Sequence, residues 1–434
     1  MRLLFPVLAI IMPLALARAP LHTRGDAEVV PNSYIVALKA EMSPSKAKSY
    51  YKSLETISSK KLAGAGYRGV TNTFDSIEYN AFHLECDENT LEAIRDHPAV
   101  ESVYQDGYVY GQITIPAPGI QPRDEQVTSG TWGLGRISHR DAGVLNYVNE
   151  KALRTYLYCL DTGVKITHTE FGGRAIWGAN FIDNSPCATA AGNVVGVDNT
   201  TTPIAVKCLD KNSSGSWSGV MAAIDWGKCV CSFSAPHYIW SRFFGRPMPQ
   251  PECNEADHLN RTAVGDAKAR NVITRSVINM SIGGPTFQPL DDMVANATAS
   301  GMTIVVAASN YGADASTYSP ARAPGAITVA AIDRSDTRPS WSNYGKSVAL
   351  FAPGVDVNSA WLTGDSAYAT LSGTSMAAPH VAGLATYLMS REGLVGPAAV
   401  KQRMLKLATS GLVQNANGSP NLIAFNGAED SWKY

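Results

Sequence analysis

Alternation of apolar and polar positions characterises residues 31–110, whereas longer uninterrupted apolar runs characterise the chain from Trp132 onward. In the first region "SYIVALKA" has strand composition, and Ser43-Pro44 then starts a helix through about Lys61, with proline at the tolerated first position. "SIEYNAFHLEC" alternates as a strand, "NTLEAIRDHP" is a short helix stopped near Pro98, and "VESVYQD" is a final strand. The pattern predicts a small α+β unit over 31–110, followed by a proline-rich linker over 111–127. From 128 to 434 apolar strands alternate with helical stretches, which predicts a parallel α/β sheet with helices on both faces.

Three of the later strands end in chemistry. "TYLYCLDTG" ends at Asp161, "SVINMSIGG" runs into glycines, and "MTIVVAASN" ends at Asn310. Open α/β sheets bind ligands beyond the carboxyl ends of their strands, so each would deliver a polar residue or bare backbone to one edge. "LSGTSMAAPHVAGL" places Ser375 where a helix begins, and a serine there has the setting of a nucleophile, provided that a base removes its proton. Taken singly these residues have plainer readings, since Asp161 in a DTG turn or Asn310 in its loop could simply cap a turn.

Composition narrows the class. Across 434 residues, 45% are hydrophobic and 17% charged, enough for a large core, and the formal net charge of −1 gives no reason to expect nucleic acid. "MRLLFPVLAIIMPLALARAP" reads as a secretory signal peptide over 1–17, with Ala15-Leu16-Ala17 as its cleavage motif. The run is short for a membrane span, and no later segment is long and apolar enough for one. Seven cysteines are an odd number for a secreted chain and define no disulfide framework.

Taken together, "DTG", "AASN" and "GTSMAAPH", in that order, make the chain resemble the subtilisin-like serine peptidases, most of all the secreted fungal proteinase K group. "TWGLGRISHR", "EFGGRAIWGANF", "AVKCLD" and "SNYGKSVALFAPGVD" fit the same pattern. The resemblance implies an α/β catalytic domain preceded by a ferredoxin-like, inhibitor-type propeptide, which would act as folding aid and intramolecular inhibitor. It implies Ser375 as nucleophile, Asp161 as the carboxylate that orients the base, and Asn310 as oxyanion donor. Substrate would lie as an added strand between "SSGSW" and "SIGG", touching Gly215, Ser216, Ser281, Gly283 and Gly284, with Ala308 and Ser309 at the specificity pocket. Ser309 stands where the family usually has glycine.

The family's general base is missing. Family members carry a histidine at a "GHGTHVAG" helix start between the Asp strand and the "AVKCLD" strand. The corresponding interval here, "FIDNSPCATAAGNVVGVDNTTTPIAVKCLD", holds no histidine and is shorter than the pattern requires. His168 matches a structural histidine, His139 belongs to the "RISHR" opening, and His380 lies five residues after Ser375, largely off its helical face. His22, His83 and His97 precede the catalytic region, and His237 and His258 lie in an irregular insert.

That insert, Gly227 to Thr262, has no periodicity and exceeds the length usual for a structureless loop, about 12–15 residues. A zinc site from Cys229, Cys231, Cys253 and His258 is a poor match to known spacings. Gly227-Lys228-Cys229 can be encoded with the splice-donor string GTAAGT, and removal of the segment restores "AAIDWAVGDAKAR" as a helix. The insert therefore reads as a translated intron, and the absent histidine segment as coding sequence wrongly removed.

The expectation is a secreted serine endopeptidase precursor, extracellular or vacuolar and monomeric, acting on protein or peptide substrates and inactive as written. The alternative is a pseudopeptidase that binds peptides without cutting them. No cofactor is expected. A calcium site is not predicted, because Ala349 stands where calcium-binding relatives have aspartate, leaving only carbonyls near Pro324 and Ala326.

Overall fold

The computed structural model describes residues 18–23, 25, 28–43, 46–47, 49–51, 68–74, 79–113, 132–145, 147, 153–183, 197–225 and 263–428. The expected signal peptide, most of the helix expected through Lys61, the linker beyond Ile113 and the insert at 227–262 lie outside them. The chain forms two compact units. One comprises Met1–Thr23, Asn32–Thr71 and Asn80–Gln105, and the other Arg24–Pro31, Asn72–Tyr79 and Asp106–Tyr434.

The first unit is built on β1 (Leu21–His22), β2 (Val29–Leu38), β3 (Gly69–Thr73), β4 (Ala81–Glu85), α1 (Glu88–Arg95) and β5 (Val100–Gly111), except that Val29–Pro31 of β2, Asn72–Thr73 of β3 and Asp106–Gly111 of β5 belong to the second unit. Its strand order is β5-β2-β4-β3, with β1 parallel to β5 and β2 antiparallel to β4 in the register Tyr34↔Leu84. Alternation puts Val36, Leu38, Phe82 and Leu84 on one face, where Leu91 and Ile94 of α1 cover them. Asp87 caps α1, its carboxylate accepting from Thr90 N at 2.7 Å. The strand β3 was not expected from the sequence, because "GVTNT" is mostly polar and only Gly69 of the five is buried.

The second unit contains α2 (Trp132–Ser138), β6 (Tyr156–Asp161), β7 (Ile176–Asn180), β8 (Thr202–Lys207), β9 (Ser214–Ser216), α3 (Trp217–Asp225), α4 (Ala263–Ala269), β10 (Ser276–Met280), β11 (Ile282–Pro285) and α5 (Gln288–Ala299). It continues with β12 (Thr303–Ala307), β13 (Tyr318–Ser319), β14 (Ile327–Ile332), β15 (Leu350–Pro353), the hairpin β16 (Val357–Ala360) and β17 (Tyr368–Leu371), α6 (Thr374–Glu392), α7 (Pro397–Leu407), β18 (Thr409–Ser410) and β19 (Leu422–Ile423). The main sheet has the order β18-β19-β15-β14-β12-β10-β6-β8-β7. Every pair from β19 through β7 is parallel, and β18 alone is antiparallel.

Strands covered on both faces read as continuous apolar runs. Accordingly every residue of β8, β10, β12 and β14 is buried. Leu157, Cys159, Val277 and Val305 face the core beneath α6, where Val381, Leu384 and Leu388 meet them. Between Leu157 and Cys159, Tyr158 points the other way and its hydroxyl donates to Asp266 of α4 at 2.7 Å. Helices thus cover both faces. Cys86, Cys159 and Cys208 are buried free thiols, and burial pushes all three above the ordinary thiol range.

Candidate active site

The neighbouring parallel strands β6, β10 and β12 all end at one edge of the sheet, and Asp161, Ser281 and Asn310 lie at or just beyond those ends. The first turn of α6 meets the same edge. Ser375 is buried, and its Oγ donates to the carbonyl of Ser281 at 2.9 Å, while Ser281 Oγ donates to the carbonyl of Ser375 at 3.0 Å. Asn310 is locked by its oxygen, which accepts from Thr374 N at 2.9 Å and Thr374 Oγ1 at 2.8 Å. Its Nδ2 is therefore turned away from Thr374, and this buried donor has no hydrogen-bond partner among the described residues.

The chain's own segment fills the groove. The end of β5 pairs antiparallel with β9 (Val109↔Gly215) and with β11 (Tyr110↔Gly283), forming the strand between "SSGSW" and "SIGG". Gln112 N donates to Ser281 O at 2.9 Å, and the Gln112 carbonyl accepts from Ser375 N at 3.1 Å. A Cβ on Gly373 would stand 2.4 Å from that carbonyl oxygen and 3.2 Å from Asn310 Nδ2, so only glycine leaves room between them. The backbone at Gly373 has φ 154°, which side chains also disfavour. Ile113, the next residue, packs against the apolar cluster of Trp132, Val357 and Met376.

The glycines have separate reasons. A Cβ on Gly215 would strike Cys208 O at 2.3 Å, and one on Gly284 would meet the Trp217 ring at 2.9 Å. Gly283 is the one whose missing side chain leaves space beside the Gln112 side chain, 3.4 Å away. Ser216 contributes backbone to the strand pair with Tyr108, while its hydroxyl is held by Ser218 Oγ and Gly219 N. Ala308 is tied by its N–H to Val329, and Ser309 is buried at φ 81°.

Asp161 ends β6 with its carboxylate accepting from Thr162 N at 2.6 Å. Burial pushes its pKa up to about 6, against the lowering effects of the Thr162 bonds and the Lys207 charge. Lys207 is buried beside it and donates to the carbonyls of Thr162 and Leu209 at 3.1 and 3.0 Å. Because the folded state holds the Asp161 proton more tightly than the unfolded chain, stability falls as pH rises from about 4 to about 6 and stays lower above that. Asp161→Asn is therefore expected to be nearly neutral at about pH 4 and to stabilise at about pH 8 by on the order of 3 kcal/mol. Denaturant midpoints at the two pH values check this, and equal effects at both would count against it.

Among the described residues no histidine touches Ser375. His380 Nδ1 pairs with Met376 O at 2.7 Å, and its other nitrogen lies against Gly133. Burial lowers its pKa. His168 bridges Ala367 O and Glu170 N, and His139 lies against Ser138 Oγ and Gly135 O. His22 stacks on Tyr104, His83 pairs with Ser33 and Thr71, and His97 stacks on Tyr50 and accepts from Ala99 N. His237 and His258 fall outside the described residues.

This combination of a helix-borne serine, a locked asparagine donor and a parallel-sheet edge accords with the sequence comparisons, in which the profile of the Subtilase family (peptidase S8) matches residues 155–423. The chain belongs to the subtilase family. Peptidase inhibitor I9 matches residues 33–112, so this subtilase carries an inhibitor propeptide, and the matched region ends at Gln112. It is 37% identical to Subtilisin-like protease 2 of Pseudogymnoascus destructans over 94% of this chain and 92% of that one. It is 33% identical to Alkaline protease 1 of Aspergillus clavatus over 97% and 98% of the two chains. A crystal structure of a cold adapted subtilisin-like serine proteinase matches with a TM-score of 0.55 and 30% identity, covering 69% of this chain and 99% of that one. By family, the chain is a subtilisin-like serine endopeptidase.

Sequence reasoning missed three participants of this subtilase's site region and one contact at the opposite edge of the sheet. Gln112 sits in a stretch read as linker. Asp106 is fully buried and caps α3, accepting from Ser218 N at 3.2 Å and Ser218 Oγ at 2.6 Å. Thr374 orients Asn310. Lys401 donates to the Ala326 carbonyl at 2.9 Å, placing an ammonium on one of the oxygens considered for calcium. Gln112, Asp106 and Lys401 carry no local sequence signal, since each depends on a partner distant in the chain, whereas Thr374 lies within the "GTSMAAPH" motif and only its hold on Asn310 was hidden.

Proposed function

We propose that this chain is a secreted serine endopeptidase precursor in which Ser375 is the nucleophile, Asn310 the oxyanion donor and Asp161 the carboxylate meant to orient a base. The observation that carries the reading is the Gln112 carbonyl, which accepts from Ser375 N beside the unpartnered Asn310 amide. Attack by Ser375 Oγ on that carbonyl carbon would move negative charge onto an oxygen that already accepts from Ser375 N and shares the space at Gly373 with the Asn310 amide. With a base to take the Ser375 proton and hand it to the Ile113 nitrogen, collapse would expel the Ile113 amine, and water, deprotonated by the same base, would release the acyl group and return the proton to Ser375. Gln112–Ile113 is accordingly the first bond offered to the site.

Among the described residues none is placed as the base for this sequence. The Ser375 hydroxyl donates to a carbonyl, which cannot take its proton, and neither Asp161 nor any described histidine shares a hydrogen bond with it. Peptide binding with only residual hydrolysis follows, which is also what a pseudopeptidase would display. N-terminal sequencing of the expressed chain, with and without Ser375→Ala, tests the reading. Fragments beginning at Ile113 that need Ser375 support it, and fragments that persist in Ser375→Ala count against it. The apolar leader at 1–17 supports secretion.

We further propose that stability does not depend on calcium at the Ala326 carbonyl, because Lys401 supplies the positive charge there. A chelator should leave the thermal midpoint unchanged, and Lys401→Ala should lower it. A midpoint that falls with chelator and recovers with added calcium would refute this.

A further inference from the structure

The pocket holding the Gln112 side chain is built for a carboxamide. Gln112 Nε2 donates to the Gly283 carbonyl and to its own segment's Tyr110 carbonyl, both at 3.0 Å, and Oε1 accepts from Asn310 N at 3.1 Å. One wall therefore offers a backbone acceptor and another a backbone donor, a pair that the Gln112 carboxamide satisfies together and that neither a carboxylate nor an aliphatic side chain can. A carboxylate would turn an oxygen onto two carbonyls. An aliphatic side chain would leave the Gly283 carbonyl and the Asn310 N–H without these partners in a buried place. Ser309 closes the pocket beside Gly283. Its hydroxyl, fully buried and without a partner among the described residues, lies 2.2 Å from where a Cβ on Gly283 would be. Gln112 Cγ and Cδ lie 3.4 Å from that same point. A serine held at φ 81° is costlier than the glycine that this position suits, so the hydroxyl is retained against a backbone penalty.

We propose that this pocket selects glutamine at the residue preceding the scissile bond, with Ser309 as a specificity-determining residue that narrows it against large apolar side chains. The inference rests on the assignment of Ser375 as nucleophile, which makes Gln112 that residue, yet its test requires no turnover. Amide hydrogen exchange in the full chain reports how firmly the segment is held, through Gly111 N bonded to Ser213 O and Gln112 N bonded to Ser281 O. Gln112→Glu and Gln112→Leu should each lower protection of these two amides by about tenfold or more, while amides of β10 and β12 keep theirs. Gln112→Phe should lower it as well, and adding Ser309→Gly should restore part of the loss. Wild-type protection in Gln112→Leu and Gln112→Phe would overturn the proposal. So would a Gln112→Phe loss that Ser309→Gly does not relieve. A catalytically silent chain leaves every one of these readings intact, and failure of the nucleophile assignment is seen separately, as hydrolysis that survives Ser375→Ala in a form carrying the family's histidine segment.

Discussion

The chain as written is expected to hydrolyse a protein substrate roughly a millionfold more slowly than a form carrying the family's histidine segment. In subtilisin, loss of the histidine alone costs about that much in turnover, equivalent to roughly 8–9 kcal/mol of barrier. The reason lies in the hydrogen-bond partners of Ser375 and Asp161. Ser375 Oγ donates to Ser281 O, and the carboxylate of Asp161 is engaged by Thr162 N, so neither arrangement moves a proton from serine to a leaving amine. What remains is the donor pair, Ser375 N and Asn310 Nδ2, which supports binding and slow background hydrolysis. The measurement compares casein hydrolysis by the full chain with that by a form in which a histidine-bearing segment replaces the residues between Asp183 and Val197 and residues 227–262 are deleted. Ser375→Ala serves as control in both. Vigorous hydrolysis by the unmodified chain, abolished by Ser375→Ala, would mean that another group serves as base.

The largest stability effect is expected at Arg136. Its guanidinium forms a two-pronged bond with Asp336, Nε to Oδ1 at 2.9 Å and NH2 to Oδ2 at 3.1 Å, and also donates to the His139 carbonyl at 2.8 Å. Both side chains are almost wholly buried, at 2% and 8% exposure. Such a pair adds little over apolar packing, yet breaking it leaves an uncompensated charge inside the protein. Arg136→Met should therefore cost about 3–5 kcal/mol, read from the guanidinium midpoint of the full chain. Arg136→Met with Asp336→Asn should recover much of it, since the buried charge is gone and asparagine tolerates the φ of 56° at that position. A single substitution that costs no more than the pair would show that the charge is solvated.

Much of the architecture follows from local pattern. The apolar runs at 156–161, 276–280 and 303–307 become buried parallel strands because only a sheet covered on both faces conceals such runs. The capping sequence at Asp87 and the alternation at 81–85 gave the propeptide's helix and strand for equally local reasons. β3 escaped notice because its residues are mostly polar and its place depends on β4. Lys401 and Arg136 escaped for a related reason: a basic residue in a helix looks solvated until its partner, 75 or 200 positions away, is known.

The chemistry divides along the same line. Residue type and order alone determined that a serine, an aspartate and an asparagine stand at strand or helix ends, and that the histidine expected between them is missing, because a missing residue is a property of the chain and not of its shape. Which carbonyl those donors face was decided only by the tertiary structure. The end of β5 lies in the groove because its unpaired backbone is satisfied on both sides, by β9 and by β11, and that pairing sets the register that delivers Gln112 to Ser375. A register is a relation between strands more than a hundred residues apart, so no stretch of sequence contains it.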